Sequence, residues 1–211
     1  MRKTELFILI AVIFSFIIGI YLYPNMPEQM ASHWNAQGKV DDYMPRFWGV
    51  FLMPFMFVGL ALLFIAIPRI DPLKKNIEKF RKHYDGFIII FFIFMLLVYV
   101  QTILWNLGIE ISPNHAFPIL MGLLFFYIGI LLENTKRNWF IGIKTPWTLS
   151  SEKVWNKTHK LGSKMFKIIG IIVLVGFLFQ KYATYFILVP ILFVALYLVV
   201  YSYIEYQKEK K

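Results

Sequence analysis

The chain has 211 residues, 59% of them hydrophobic, and its mean hydropathy is +0.62. Soluble domains average about 45–50% apolar residues, so this composition excludes an ordinary soluble domain. The chain has no cysteine, which excludes disulfide bonds, thiolate catalysis and cysteine-ligated metals.

Six apolar runs predict six transmembrane helices, because a bilayer span needs about 20 residues. The first run follows Met-Arg-Lys, as in a signal peptide, but no small-residue cleavage site follows it, so we expect a retained helix. The predicted fold class is therefore all-α, a polytopic membrane protein. The runs are approximately Leu6–Tyr23, Phe47–Ile67, Phe87–Leu107, Ala116–Leu132, Lys164–Gln180 and Tyr182–Ile204.

The net charge of +10 is distributed unevenly between the two predicted sides of the membrane. Of the 22 Lys and Arg residues, 19 precede the first span, follow the last, or lie in or next to the second and fourth connections. Only Lys39, Arg46 and Lys181 lie on the other side. The positive-inside rule then predicts that both termini are cytoplasmic in a multi-pass cell-membrane protein. Anionic lipids of the cytoplasmic leaflet attract Lys and Arg, so the lipid bilayer is the predicted partner of the excess positive charge. Direct binding of nucleic acid is not predicted.

An outward loop, residues 24–46, joins the first two spans in the predicted N-terminal module, residues 1–67. It reads PNMPEQMASHWNAQGKVDDYMPR and is long for a connection between helices, which usually has about 2–8 residues. Asn25 and Pro27 predict the start of a short helix, and Gly38 and Asp41-Asp42 predict turns. A loop of this length is a candidate functional element.

A cytoplasmic connector is predicted over residues 68–86. Asp71-Pro72 is a typical helix start, and Leu73, Ile77, Phe80 and Tyr84 recur at helical spacing. With Lys residues elsewhere on its surface and Gly86 at its end, this segment predicts an amphipathic helix lying on the bilayer.

The remaining four spans form a predicted module, residues 87–211, with a cytoplasmic loop at 133–163. The stretch NWFIGIKTPWTLSSEKVWNKTHKLG within it is dense in Trp, Lys, Thr and Asn. Ser150 can cap a short helix from Ser151 to about Leu161. Trp residues and positive charge are also what re-entry into the membrane interface requires, so a structural explanation stays open beside a functional one.

Signatures of catalysis and transport are weak. The sequence has no GxSxG, P-loop or HExxH motif, and the spans carry no ionisable side chain in their interiors. Gln101, Thr102 and Asn106 in the third span are expected to form hydrogen bonds. A metal site at His33 with Asp41 and Asp42 is conceivable, but a hydrogen-bonded loop histidine is favoured. We predict no enzyme activity, no cofactor and no metal.

Two motifs resemble known families over most of the chain. The run from Asn138 to Leu149, NWFIGIKTPWTL, followed by VWNKTH from Val154 to His159, resembles the SdpI family signature. This chain has Lys144 where that signature usually has Arg. The pattern from Pro27 through His33-Trp34-Asn35 to Tyr43 resembles a membrane-associated domain of unknown function that often precedes the signature.

The resemblance implies a membrane immunity or sensor protein that gives resistance to a secreted toxic peptide. It also implies signal transduction to a cytoplasmic regulator, a small transcriptional repressor. A membrane enzyme or lipid-modifying factor is the alternative, and a channel or transporter is a third. The implied outward ligand site is His33, Trp34, Asn35, Gly38, Asp41 and Tyr43. The implied partner-binding or structural site in the cytoplasmic loop is Asn138, Gly142, Lys144, Thr145, Pro146, Trp147, Thr148, Trp155, Thr158 and His159.

Overall fold

The computed structural model describes residues 2–210, which form eight α-helices and one β-hairpin. Six helical segments, built on α1, α2, α4, α5, α7 and α8, are long and apolar enough to cross a membrane. The predicted all-α, six-span membrane fold is therefore confirmed, with the hairpin as an addition to it. The elements are α1 (Lys3–Leu22), β1 (Gln29–Trp34), β2 (Val40–Pro45), α2 (Arg46–Ile70), α3 (Lys74–Lys79), α4 (Arg81–Asn106), α5 (Pro113–Asn134), α6 (Pro146–Ser150), α7 (Glu152–Val175) and α8 (Ala183–Lys210).

The predicted outward loop folds mostly as this hairpin. One 3₁₀ turn ends at Asn25, and Met26 is already extended, so the short helix predicted to start near Asn25 and Pro27 is wrong. Proline disfavours the helical conformation of the residue before it, which here is Met26. Met30 of β1 is fully buried, and burial of this side chain favours a strand over a solvated turn.

The predicted connector helix over residues 68–86 is also wrong. Two helices replace it, since α3 ends at Lys79 and α4 runs from Arg81 straight through Gly86. The side chains of Ile77, Phe80 and Tyr84 are at most 1% exposed, so their stripe packs into the protein rather than onto lipid. A helical stripe of apolar residues predicts burial, but it does not identify what covers it.

The cytoplasmic helix predicted to end at about Leu161 is instead the first part of α7, which continues into the fifth span. Ser151, not Ser150, is the N-cap, and its hydroxyl accepts from the Val154 amide. Gly162 lies inside α7, where it allows a close contact: a Cβ there would lie 2.5 Å from Ile143 Cδ1.

Two groups of buried side chains form the core. The first lies mainly between α1, α2 and α4 around Phe57 and Phe92, and the second lies between α5, α7 and α8 around Val173. Helices α5 and α7 approach closely, since a Cβ on Gly170 would lie 2.7 Å from the Gly122 carbonyl oxygen. Small residues at helix contacts let membrane helices pack closely in this way. The module boundaries given above remain predictions.

Polar residues collect at two ends of the helices. The hairpin end comprises residues 23–48, 106–118 and 176–184. The basic end comprises residues 2–5, 69–85, 133–160 and 202–210, and it holds most of the Lys and Arg residues. Contacts between distant segments hold this end together, for example Arg69 with Glu5 at 2.9 Å and the Thr145 and Ser202 hydroxyls at 3.0 Å.

Candidate functional site

The hairpin is closed by a turn that Asn35 and Gly38 build. The Asn35 side-chain oxygen accepts from the amides of Gln37 (3.0 Å) and Lys39 (3.1 Å). Gly38 has a φ of +74°, a left-handed conformation that glycine adopts without steric cost. The Asn35 side-chain oxygen and Gly38 therefore determine the shape of the hairpin turn.

His33 and Asp41 face each other across the hairpin. The His33 Nδ1 and Asp41 Oδ1 atoms are 2.6 Å apart, and the side chains are 66% and 41% exposed. Asp42 instead accepts from the Tyr43 amide at 2.8 Å. No group of three His, Asp or Glu residues suited to a metal occurs within residues 2–210. The hydrogen-bonded histidine favoured from sequence is what the hairpin contains.

Two asparagines that sequence analysis did not assign to the site hold the hairpin on the helices. The Asn106 amide group accepts from Ala31 N (2.7 Å) and donates to Ala31 O (3.1 Å), as a neighbouring strand would. Asn114 donates to the Ala36 carbonyl (3.1 Å). Sequence analysis correctly expected a hydrogen-bonding role for Asn106, but not this partner. Its position near the end of an apolar span was the available signal.

Below the hairpin lies a cavity of about 580 Å³ with mostly apolar walls. Three of the predicted outward residues, His33, Trp34 and Asn35, line it, whereas Gly38, Asp41 and Tyr43 do not. The other walls come from α2, α4, α5 and α8. A mainly apolar cavity of this size with a few polar groups is typical of a small-ligand or side-chain binding site. Sequence analysis missed the α5 and α8 walls, because no local pattern in these spans shows that they meet the hairpin.

Trp34 is the predicted residue most firmly built into this cavity. Its ring packs edge to face on Trp105, with the ring centres 5.4 Å apart. Its Nε1 is buried and has no hydrogen-bond partner among the described residues. A buried donor left unpaired costs about 1–3 kcal/mol.

At the basic end, Asn138 is the centre of a self-contained loop. Its side chain is fully buried and donates to the carbonyls of Lys136 and Ile141, both at 2.8 Å. It also accepts from the amides of Phe140 (2.9 Å) and Ile141 (2.6 Å). Four hydrogen bonds within its own loop leave Asn138 no free group for a partner.

His159 holds the next part of the same loop. Its Nε2 accepts from the Ile143 amide at 2.9 Å, and its Nδ1 lies 2.8 Å from the Trp155 carbonyl. The imidazole is therefore neutral, with its proton on Nδ1. It stacks on the fully buried Trp155 ring at 3.9 Å. Gly142, with a φ of +120°, passes so close that a Cβ would lie 2.4 Å from His159 Nε2.

The Thr145-Pro146-Trp147-Thr148 segment forms the start of α6. The Thr145 and Thr148 side chains cap this helix reciprocally, and Thr148 also donates to the Ile143 carbonyl at 2.8 Å. Pro146 occupies the first turn, as helix starts favour. Trp147 packs against Tyr203 of α8 at 5.1 Å. These residues dock the loop onto α8.

Two predicted residues of this loop differ from the rest. Lys144 is exposed and forms no ion pair with any residue between 2 and 210. Thr158 is fully buried, and its hydroxyl has no hydrogen-bond partner within the same range. Lys144 is thus the one residue of the predicted set at this end that presents a free charged group to solvent.

Comparison with known proteins gives results for both motifs. Residues 134–202 match the SdpI/YfhL protein family, and residues 10–58 match a domain of unknown function, DUF1648. The chain is 27% identical over 209 residues to Immunity protein SdpI of Bacillus subtilis (strain 168), an alignment covering 99% of this chain and 97% of that protein. No solved structure matches the chain. The resemblance identified from the motifs is thereby confirmed: this membrane protein carries an SdpI/YfhL family region preceded by a DUF1648 region.

Proposed function

We propose that this protein is a membrane immunity protein that protects the cell against a secreted toxic peptide by binding rather than by catalysis. The observation that carries the proposal is the alignment with Immunity protein SdpI, which covers nearly the whole of both chains. A shared fragment could reflect a common membrane anchor, but an alignment over 209 residues includes the hairpin, the cavity walls and the loop at the basic end. The exposed His33–Asp41 pair and the apolar cavity also suit recognition better than bond cleavage.

A survival assay tests this function. The chain would be expressed in Bacillus subtilis lacking Immunity protein SdpI and challenged with culture supernatant from a toxin-producing strain. We expect survival well above that of an empty-vector control, with the relative itself as positive control. Survival no better than with the empty vector, at membrane levels matched to the relative, would contradict the proposal.

The proposed arrangement places the hairpin end outside the cell and the basic end, with both termini, in the cytoplasm. It is supported by the uneven distribution of Lys and Arg. The absence of cysteine permits a clean test with the single variants Asp42→Cys and Lys144→Cys. A membrane-impermeant maleimide applied to intact cells should label the first variant and spare the second. The reverse labelling pattern would show that the topology is opposite to the one proposed.

We further propose that the basic end relays toxin binding to a cytoplasmic regulator through its exposed face. Lys144, which forms no ion pair among residues 2–210, and Trp139, which is 52% exposed, are available for such a contact. Co-purification of the full-length protein with small repressors encoded beside its gene, with and without toxin, would test the relay. Binding that is insensitive to both toxin and Lys144→Ala would speak against it.

A further inference from the structure

Exposed residues mark where the cavity opens. Of the residues that line it, His33 of the hairpin, Trp48 and Leu52 of α2, and Leu188 of α8 are exposed, the last three by 50%, 38% and 50%. The three on α2 and α8 are apolar, so the part of the opening between these helices is framed by side chains that favour lipid over water.

The depth of these residues indicates what lies outside the mouth. Leu52 is six residues into α2 and Leu188 is five residues into α8, or about 9 Å and 8 Å along the helices. The interfacial layer on each side of a hydrocarbon core is about 6 Å thick. With these helices starting at the interface, the mouth faces the acyl chains of the leaflet on the hairpin side.

The polar groups in the walls favour one kind of occupant. Gln101 donates through its Nε2 to the Ile111 carbonyl, whereas its side-chain oxygen accepts no hydrogen bond from residues 2–210 and remains an acceptor. A peptide backbone supplies an N–H group that donates to such an oxygen, but the ester groups of a phospholipid only accept.

We infer that the cavity binds an apolar segment of a membrane-inserted peptide, which enters from the leaflet between α2 and α8. Its side chains fill the apolar volume, and a backbone N–H group donates to the Gln101 side-chain oxygen. This inference rests on the proposed function and specifies how the toxic peptide is bound. Capture from within the membrane explains why a protein that recognises an external peptide would keep this cavity open to lipid.

Site-specific photocrosslinking tests the inference on the full-length protein in phosphatidylglycerol–phosphatidylethanolamine vesicles. Leu188, Leu196 and Tyr43 would each be replaced, one at a time, by p-benzoylphenylalanine, and the purified Bacillus subtilis toxic peptide added. Leu196 is the matched control because it is 71% exposed on α8 but does not line the cavity. Tyr43 is 58% exposed on the hairpin, also outside the cavity. We expect peptide adducts at Leu188 and none at Leu196.

Three results would overturn the inference. Peptide adducts at Tyr43 but not at Leu188 would leave immunity standing and move binding to the hairpin surface. A phospholipid adduct at Leu188 in the presence of peptide, identified by its mass, would make the cavity a lipid site. Protection in the survival assay without any peptide adduct would place the function elsewhere, whereas loss of protection itself would contradict the proposed function.

Filling the cavity provides a second measurement. Thr184 lines the cavity, and Thr184→Phe should reduce the peptide adduct at Leu188 about tenfold, the effect of losing about 1.4 kcal/mol of binding free energy. Tyr185→Phe, on the neighbouring lipid-exposed position, should leave the adduct unchanged. Equal yields from both variants, at equal amounts of folded protein, would show that the peptide does not enter the cavity.

Discussion

The hairpin end and the loop from Asn138 to Gly162 share several residue types but use their polar residues differently. Both contain Trp, Asn, Gly and His, and both resemble recognition surfaces. In the loop, the side chains of Asn138 and His159 form hydrogen bonds with the loop's own backbone. At the hairpin end, Trp34 and His33 line an open cavity. A segment with many motif residues can therefore have either of two roles. In the loop these residues hold the backbone in shape, and at the hairpin end some of them line an accessible site.

The largest expected effect of a single change is Asn138→Ala, which removes four hydrogen bonds from a buried loop. At about 1 kcal/mol for each bond, the free energy of unfolding should fall by about 3–4 kcal/mol. Unfolding in detergent, followed by tryptophan fluorescence, measures the change. Asn134→Ala is the control because it removes a single bond to the Ile130 carbonyl. Equal effects of the two variants would refute the structural role of the loop motif.

Two of the three glycines with positive φ, Gly142 and Gly38, extend the comparison to backbone strain. Gly142→Ala should destabilise the protein by about 2–3 kcal/mol, because a residue at φ +120° is strained and its Cβ meets His159. Gly38→Ala should cost about 1 kcal/mol, since φ +74° lies in the ordinary left-handed region and the nearest atom is a Ser112 hydroxyl at 3.0 Å. The same unfolding measurement ranks them. The opposite order would mean that the hairpin turn is the more constrained region.

Asp41→Asn should separate function from stability at the hairpin end. The His33–Asp41 pair is exposed, so its loss should change the free energy of unfolding by less than about 1 kcal/mol. Because Asp41 holds His33, which lines the cavity, survival under toxin challenge should still decrease. The neighbouring change Asp42→Asn is the control. Unchanged survival in both variants would show that the His33–Asp41 pair has no part in recognition.

The smallest stability effect is expected for Lys144→Ala. An exposed side chain without an ion pair among residues 2–210 should contribute within about 0.5 kcal/mol to folding. Regulator binding, by contrast, should weaken, and Lys144→Arg should retain it because the charge is kept. A large loss of stability would show that this residue belongs with Asn138 in the structure of the loop.

Much of the architecture could be predicted from the sequence. A bilayer span requires a long uncharged run, so six helices follow from composition alone. The two motifs identified the family regions correctly, and the hydrogen-bonding roles of Asn106 and His33 were also expected. These features depend on local residue types and their spacing.

Tertiary structure decided the rest. The stripe of Ile77, Phe80 and Tyr84 predicted burial, but whether lipid or protein would cover it depended on distant helices. The cavity is formed where α8 meets a hairpin nearly 150 residues earlier in the sequence. The hydrophobic effect is non-directional, and apolar side chains suit contact with lipid as well as contact with another helix. Composition therefore does not show which of the two a span faces. The sequence by itself therefore determined which segments lie in the membrane, and only packing determined which of them enclose a site.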